Sequence, residues 1–462
     1  MSLIVVVLAA GQGTRMKSDL PKVLHAAAGR TLLDWALQAI RGLEPERTVV
    51  VVGHEAERVA RSLPEWAEPV IQERQLGTGH AVTVALESLS DLTDDDTVLI
   101  AYGDMPLVTS ELFRAAAAAR LGRVASMVTF ESEDPTGYGR VVRDDSGTFE
   151  RVVEEKDASS QEREITEVNA GIYAFSGSAL RLALGKVATD NAQGEYYLPD
   201  VLPILIRAGE QVATVSADSM EVSGVNSQDQ LADADAELRR RINRNWQQKG
   251  VWMQDPDRVY IEDSVELAPR VRLYPGVHLE GRTRVAEGAV IGPDTFVVDS
   301  TIGSGARVWY SVLRSAQVGE EAEVGPYASL RPGTILESRS KAGTFVEIKN
   351  SRVGEGAKVP HLSYMGDAQI GARANVGAGS ITCNYDGYEK HETVIGEGAF
   401  IGSDTMLVAP VVIGPGAFTG AGSVITRDVD AGSLAVERSH QQEIPGYAAR
   451  REERHRSKAS EH

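Results

Sequence analysis

Chemistry-bearing residues gather in three short stretches of the first half of the chain. Leu8 to Met16, LAAGQGTRM, is the end of an apolar run followed by a tight Gly turn and a helix start. Backbone N–H groups in such a turn can wrap an anionic ligand. Arg15 and Lys22 supply mobile positive charge of the kind a triphosphate needs. The third Gly of the dinucleotide fingerprint is missing, and so is Gly-Lys-Ser/Thr, so neither a dinucleotide loop nor a Walker loop is read here. Gln75-Leu76-Gly77-Thr78-Gly79-His80 is a second Gly-rich turn opening a helix. Tyr102-Gly103-Asp104-Met105-Pro106 follows another apolar run, which puts the Asp104 carboxylate at the carboxyl edge of a sheet, where α/β sheets bind ligands. A carboxylate there suits Mg2+, a hard cation that takes oxygen ligands and bridges phosphates. Each stretch taken alone has a plainer reading, as a structural turn or a turn-capping Asp.

The second half offers a different chemistry. His361 lies in Val359-Pro360-His361-Leu362-Ser363-Tyr364, where an aliphatic position gives way to polar groups. Group transfer to an amine needs a base that takes the amine proton near neutral pH, and histidine suits that task. A lone histidine is more often structural, but Arg331, Lys349, Tyr364, Asn375 and the loop with Asn384-Tyr385 supply a polar surround. No covalent step is required, so Cys383 ranks below direct transfer as a carrier of the group.

The elements that must position these residues differ between the halves. Residues 1–226 alternate β-rich runs, Leu3–Leu8, Thr48–Val52 and Val98–Ala101, with helical stretches, Leu32–Arg41 and Gly79–Leu89. That alternation predicts an α/β domain with a mostly parallel, Rossmann-like sheet covered on both faces. Residues 227–250 read as an amphipathic connecting helix capped by Ser227, with Leu231, Ala234, Leu238, Ile242 and Asn245/Trp246 on one stripe. From 251 to 440 the period is six. Ile395, Ile401, Leu407, Ile413, Thr419 and Ile425 are six apart, and Ala399, Thr405, Val411, Ala417 and Ser423 follow the first five by four. Earlier runs hold the register at Val312, Val318, Val324, Leu330 and Leu336, then at Val353 and Val359, and at Ile370 and Val376. A hexapeptide period fits a parallel β-helix whose aliphatics point inward and whose glycines help the corners. Cys383–Thr393 breaks the rhythm with polar and aromatic residues, as a loop thrown out of the coil. Residues 441–462 are charged and aperiodic and read as a disordered tail.

Composition narrows the partners. Lys plus Arg number 47 against 66 Asp plus Glu, a net charge of −19, which disfavours a nucleic-acid binder. The single cysteine fits a reducing compartment. Leu3–Ala10 imitates a signal-peptide core, yet no Lys or Arg precedes it and the βα pattern runs on through Arg15. No apolar run approaches the ~20 residues of a membrane span. A cytoplasmic protein without a membrane partner is expected.

LAAGQGTRM with Leu20-Pro21-Lys22-Val23-Leu24, QLGTGHA, YGDMPL, DPTGYGR, VEEKDA, NAGIY, NAQGEYYLPD and VSGVN resembles the sugar-nucleotide pyrophosphorylases, in particular those that transfer uridylyl onto N-acetylglucosamine 1-phosphate. LRPG, FVEIKN, HLSYMGDA, NVGAGSITCNYDG, IGSDTMLVAPV and GAGSVITRDV resemble the glucosamine-1-phosphate N-acetyltransferase half of the bacterial bifunctional family that joins both activities. The two halves and their order match over about residues 2–440.

The resemblance implies the following roles. Leu8, Ala9, Ala10, Gly11 and Gly13 hold the nucleotide of UTP, with Tyr102, Gly103 and Asp104 beside it. Arg15 and Lys22 contact phosphates and serve catalysis. Gln72, Gly77 and Thr78 read the uracil, while Gly139, Glu154, Asn169 and Asn226 contact the sugar or its phosphate. Asp104 and Asn226 are the protein ligands of Mg2+. His361 is the general base, with Arg331, Lys349, Tyr364, Asn375 and the Lys390 region around glucosamine 1-phosphate. Ala378, Asn384, Tyr385, Ser403, Ala421 and Arg438 line the acetyl-CoA site. The β-helix is left-handed and the chain a homotrimer. Two other readings stay open: a nucleotidyltransferase whose β-helix is an oligomerisation or regulatory module, and a sugar-nucleotide sensor.

Overall fold

The computed structural model describes residues 2–89 and 92–459, and the chain divides into two compact units, Met1–Ile242 and Asn243–His462. Strands of the first unit's main sheet are β1 (Leu3–Ala9), β2 (Arg47–Val52), β3 (Ala67–Ile71), β4 (Thr97–Tyr102), β5 (Ala125–Glu131), β6 (Arg140–Arg143), β7 (Phe149–Val153), β8 (Glu167–Ser176) and β9 (Val212–Ser216). The sheet runs β9-β5-β8-β4-β1-β2-β3, with the β6–β7 hairpin attached through β8. It is mostly parallel, as the alternating pattern requires; only β8 and the hairpin run antiparallel.

Both faces of β1 are covered, which is why it is apolar throughout. Ile4, Val6 and Leu8 join one core layer with Ala81, Val82 and Ala85 of the helix Thr78–Glu87. Val5, Val7 and Ala9 join the other with Leu33 and Leu37 of the helix Leu32–Arg41. Fully burying such a side chain contributes roughly 1.5–3 kcal/mol. Thr31 caps that second helix, its Oγ1 accepting the Asp34 N–H at 3.1 Å. Two adjacent parallel strands therefore end at Ala9 and Tyr102, and both functional turns leave from that edge.

The connecting helix spans Gln228–Gln248. Ala234, Leu238 and Ile242 are buried as the stripe predicts, but Asn243 is buried and Asn245 exposed. The reason is polar: Asn243 Nδ2 donates to the Pro256 and Val259 carbonyls at 2.8 and 2.9 Å. The helix is also not a separate body. Asp235 accepts the Ala28 N–H at 2.8 Å and Arg241 donates to the Leu107 carbonyl at 2.7 Å, tying the helix as far as Arg241 to the rest of the first unit.

In the second unit, short strands stack into three parallel sheets of eleven, ten and nine strands, each coil adding one strand to each sheet. This is a three-sided parallel β-helix. Ile395, Ile401, Leu407, Ile413, Thr419 and Ile425 all point inward, as do the small residues four places later. The earlier run needs one correction: Leu313, not Val312, is inward, because Leu313 pairs with Leu330 and the intervening coil is shorter than three hexads. The glycines also act differently from expectation. A Cβ on Gly396 or Gly402 would lie 2.4–2.5 Å from backbone atoms of the next coil, so these glycines permit close stacking. The left-handed corners are taken by other residues, such as Gly398 and Gly416.

Within the expected disordered tail, Tyr447–Ala459 is an α-helix instead. Its Ala, Arg, Glu and Lys residues are strong helix formers, and Glu452 pairs with Arg456 one turn on. Residues 447–457 are all exposed, so the helix buries no face. No helix of the described residues is long and apolar enough to cross a membrane.

Candidate active sites

The carboxyl edge of β1 and β4 opens on a cavity of about 420 Å³. Leu8, Ala9, Ala10 and Gly11 form one wall, Gln72, Gly77 and Thr78 another, and Lys22, Tyr102, Asp104 and Asn226 the floor. Lys22 Nζ is the point of convergence: it pairs with the Asp104 carboxylate and donates to Asn226 Oδ1 at 2.9 Å. The Val225 N–H bonds the Asp104 carbonyl at 2.9 Å, which fixes Asn226 beside the aspartate. Gly13 helps hold this arrangement. Its φ is +63°, and a Cβ there would sit 2.6 Å from Lys22 Cβ, so only Gly lets the loop close over the lysine.

The second Gly turn is built with equal closeness. Gly77, at φ +103°, starts the helix Thr78–Glu87, and its Cβ would meet the Tyr196 carbonyl at 2.6 Å. Residues 195–197 form a strap across this turn, Gly79 N–H donating to Tyr196 O at 2.7 Å and Tyr196 N–H to Leu76 O at 2.9 Å. Gln72 Nε2 donates to Gly77 O at 3.2 Å, and Gln75 Nε2 to Ala10 O at 2.7 Å, which ties the two Gly turns together. Gln75 and Glu195 line the cavity and carry no role in the sequence reading. Their signal lay in motifs already quoted, QLGTGHA and NAQGEYYLPD, within which nothing in residue type singled them out.

Gly139, Glu154 and Asn169 are brought together by the β6–β7 hairpin and β8. Asn169 N–H donates to Gly139 O at 2.8 Å, and a Cβ on Gly139 would lie 3.2 Å from Glu154 Oε1. Glu154 is a poorly solvated carboxyl whose pKa is raised by burial and by repulsion from Asp200 and Asp157, with Arg140 opposing. The Tyr102 hydroxyl is pushed above its usual range by burial, then by Glu154 and Asp104. Tyr102 thus joins this group to the cavity. Gly139, Glu154 and Asn169 stand off its lining, and so do three more expected residues. Arg15 is exposed on the 3-10 turn Thr14–Met16, and Gly13 and Gly103 shape turns, Gly103 facing the Leu33 side chain.

Asp104 and Asn226 offer one carboxylate and one amide oxygen toward a single cation position. Among the described residues no three His, Cys, Asp or Glu side chains converge as a metal site. Two oxygen donors suit Mg2+, which keeps waters and binds phosphates rather than filling an all-protein cage.

On the β-helix, His361 ends the strand Lys358–His361 at a corner, with Leu362 at φ +50° turning the chain. Its side chain is exposed and its carbonyl is held by the Ser363 hydroxyl at 2.7 Å. Successive coils keep step along this corner. Gly379 N–H bonds His361 O, Asp404 N–H bonds Ala378 O and Gly422 N–H bonds Ser403 O. Ala378, Ser403 and Ala421 therefore rise one per coil from His361, and Arg438 Nη1 donates to Ala421 O at 2.8 Å.

Round the corner, Lys349 pairs in register with Gly366, and Cys383 with Val408. Arg331 N–H donates to Ile348 O, the coil on, and its guanidinium pairs with Glu347 at 2.8 Å, which raises the Arg331 pKa. Lys349 Nζ lies 3.6 Å from Asp367. Against the desolvation that would raise it, hydrogen bonds from Asn350 and Asn384 hold the Asp367 carboxyl below its usual range. The Tyr364 hydroxyl and Asn384 Nδ2 both lie over Gly366, where a Cβ would meet them at 2.4 and 2.7 Å. Tyr385 is exposed on the loop beyond. Asn375 pairs with Lys358, back along the His361 face, so it stands apart from Lys349 and Tyr364.

Comparison with known proteins agrees with this division. A MobA-like NTP transferase domain matches residues 5–166, and the bacterial transferase hexapeptide (six repeats) matches residues 392–427. The chain is 50% identical over 454 residues to a protein of Streptomyces coelicolor named Bifunctional protein GlmU, covering 97% of this chain and 94% of that one. Proteins of the same name from Kineococcus radiotolerans and Desulfitobacterium hafniense are 48% and 46% identical, over 96% of this chain and 91% and 97% of theirs.

Proposed function

The chain belongs to the bifunctional GlmU family, and from that premise we propose that each unit carries one step in the synthesis of UDP-N-acetylglucosamine. The β-helix transfers acetyl from acetyl-CoA to the amine of glucosamine 1-phosphate. The first unit then transfers uridylyl from UTP to the product and releases pyrophosphate. The observation that carries the reading is the convergence of Lys22, Asp104 and Asn226 between two Gly turns, together with a separate His361 corner in the other unit.

For uridylyl transfer no protein nucleophile is needed. A phosphate oxygen of the sugar attacks the α-phosphorus of UTP in line, and the bond to pyrophosphate breaks. The work is positioning and charge neutralisation. Backbone N–H groups of the Leu8–Gly13 turn hold the nucleotide, and Gln72 and Thr78 address the base. Gly139, Glu154 and Asn169 hold the sugar. Asp104 and Asn226 would hold Mg2+, which when bound supplies positive charge to the triphosphate. Lys22 and Arg15 then turn to phosphate oxygens.

For acetyl transfer, His361 takes a proton from the substrate amine as its nitrogen attacks the thioester carbonyl. The C–S bond then breaks and the CoA thiol leaves. Arg331, Lys349 and Tyr364 receive the sugar phosphate, with Asn375 from the adjoining face. Ala378, Ser403, Ala421 and Arg438 track the CoA along the corner, with Asn384 and Tyr385 near its acetyl end. Asn375 lies on the face that ends at His361 and Lys349 on the adjoining face, and a homotrimer, with a second copy laid against each corner, would bring both to one substrate. Small soluble substrates and products suit a cytoplasmic enzyme.

The test is to incubate the protein with glucosamine 1-phosphate and acetyl-CoA and follow free thiol, and separately to follow pyrophosphate from UTP and N-acetylglucosamine 1-phosphate. Both should appear. Absence of thiol release would reduce the β-helix to a scaffold for a nucleotidyltransferase.

A further inference from the structure

The loop between the strands Ile381–Cys383 and Thr393–Ile395 is closed on itself as a small hairpin. His391 N–H donates to Asn384 O at 2.8 Å, and Tyr385 and Lys390 form an antiparallel bridge. Asp386 is the node of the turn. Its Oδ1 accepts the Tyr388 and Glu389 N–H groups, both at 2.8 Å. Its Oδ2 lies 2.7 Å from His391 Nε2. An ionised carboxylate can only accept, so Nε2 carries the proton of this bond. These contacts hold the Asp386 carboxyl well below the usual carboxylate range, the Glu389 N–H first and His391 next.

The hairpin delivers Lys390 to the side of Lys349. Proximity to the Lys349 ammonium lowers the Lys390 pKa. Two ammonium groups side by side, with Arg331 adding repulsion, do not stay together by their own attraction. A long exposed lysine also has much rotamer freedom to lose. Something other than the lysines must keep Lys390 in place, and the hairpin is anchored at both ends to do so. At its base Asn384 Nδ2 donates to Asp367 Oδ2 at 2.5 Å, the carboxylate that faces Lys349. At its tip the bond from His391 to Asp386 fastens the returning strand directly after Lys390.

We propose that the His391–Asp386 pair is a clasp that positions Lys390 beside Lys349, so that the two ammonium groups and Arg331 form a preformed receptor for the phosphate of the acetyl acceptor. His391 is thereby a positioning residue that acts through Lys390 and touches no reacting atom. The inference rests on the acetyltransferase reading of this unit.

The experiment uses the full-length enzyme and thiol release with glucosamine 1-phosphate varied. His391→Phe keeps a ring of similar size without a donor. It should raise KM for the sugar phosphate about fivefold or more and leave kcat within about twofold. His391→Gln, which can still donate to Asp386, should restore KM to within about twofold of wild type. Asp386→Asn retains an acceptor for the turn but loses the carboxylate, and should match His391→Phe. Lys390→Ala should raise KM as well, and the Lys390→Ala/His391→Phe double variant should be no worse than Lys390→Ala alone. A kcat for thiol release and a thermal unfolding midpoint that stay near wild type report that the β-helix is folded. Unchanged KM in His391→Phe, a His391→Gln as poor as His391→Phe, or additive effects in the double variant would each overturn the clasp. Wild-type protein that releases no thiol would instead remove the acetyltransferase reading itself, and the clasp with it.

Discussion

Lys22 Nζ joins Asp104 to Asn226, pairing with the carboxylate of one and donating to the amide oxygen of the other at 2.9 Å. A residue from the first Gly turn thus occupies the point at which an aspartate after β4 and an asparagine just before the connecting helix offer oxygen. The arrangement defines one cation position filled from within the chain. Binding a metal there and freeing the lysine for phosphate are two sides of one exchange.

That relationship makes Asp104 the first residue to change. Asp104→Ala removes the only carboxylate of the pair, and pyrophosphate release from UTP should fall by about 100-fold or more. Thiol release from acetyl-CoA by the same protein should stay within about twofold, because the other site stands in its own unit. Pyrophosphate and thiol assays on one preparation check both halves. Full uridylyl transfer in the variant would sink the metal assignment.

His361→Ala should show the converse. Loss of a general base removes about 10²- to 10⁴-fold of rate, read as lost thiol release with glucosamine 1-phosphate. UDP-N-acetylglucosamine should still form when the acetylated sugar phosphate and UTP are supplied. The exposed ring does not support the coil, so the thermal unfolding midpoint should not move. If both activities vanish with the fold intact, the division of labour is wrong.

Gly77→Ala tests the strap over the nucleotide turn. At φ +103° the new Cβ is strained whatever the space, and here it also meets the Tyr196 carbonyl at 2.6 Å. Such backbone strain costs about 1–3 kcal/mol. The turn should relieve it by opening, which raises KM for UTP and lowers the unfolding midpoint together. Substrate kinetics and thermal scans decide the matter, and an alanine variant with native KM would show that the strap does not shape the base site.

Glu154 gives a pH-dependent prediction. Burial first, and then Asp200 and Asp157, raise its carboxyl pKa in the folded chain. The folded state therefore holds this proton more tightly than the unfolded state does. The stability it contributes is complete below the unfolded carboxylate pKa and is lost as pH rises through the folded value. Glu154→Gln cannot ionise and escapes that loss. Its unfolding midpoint should exceed wild type at about pH 8 and converge with it near about pH 4. Thermal scans across that range check the sign, and a variant that is less stable at the alkaline end would refute it. Transfer to the sugar phosphate should weaken at the same time.

Much of the architecture could be read from pattern alone. Continuous apolar runs become strands covered on two faces because a parallel sheet under helices has no wet side, and β1 needs apolar residues at every position. The six-residue rhythm becomes three stacked sheets because each hexad supplies one inward aliphatic. The exceptions share a cause. Val312 gives way to Leu313, and Asn243 replaces Asn245 on the buried stripe, where a neighbouring coil or carbonyl, not local spacing, sets the register. The tail helix escaped notice because charged helix formers carry no burial signal.

For the sites, residue types and their neighbours in the chain were enough to nominate Lys22, Asp104 and His361, and the family resemblance added Asn226. Residue type and short spacing are local properties, and local properties fix turns, strand edges and the period of a coil. Which side chains meet is not local. Only the folded chain decided that Lys22 bridges Asp104 and Asn226, that Gln75 and the 195–197 strap lock the two Gly turns together, and that Asp386 clasps His391. The first two sets of partners lie far apart in the chain, and the packing of the sheet sets the few ångströms between them; the last pair meets because its loop closes on itself as a hairpin.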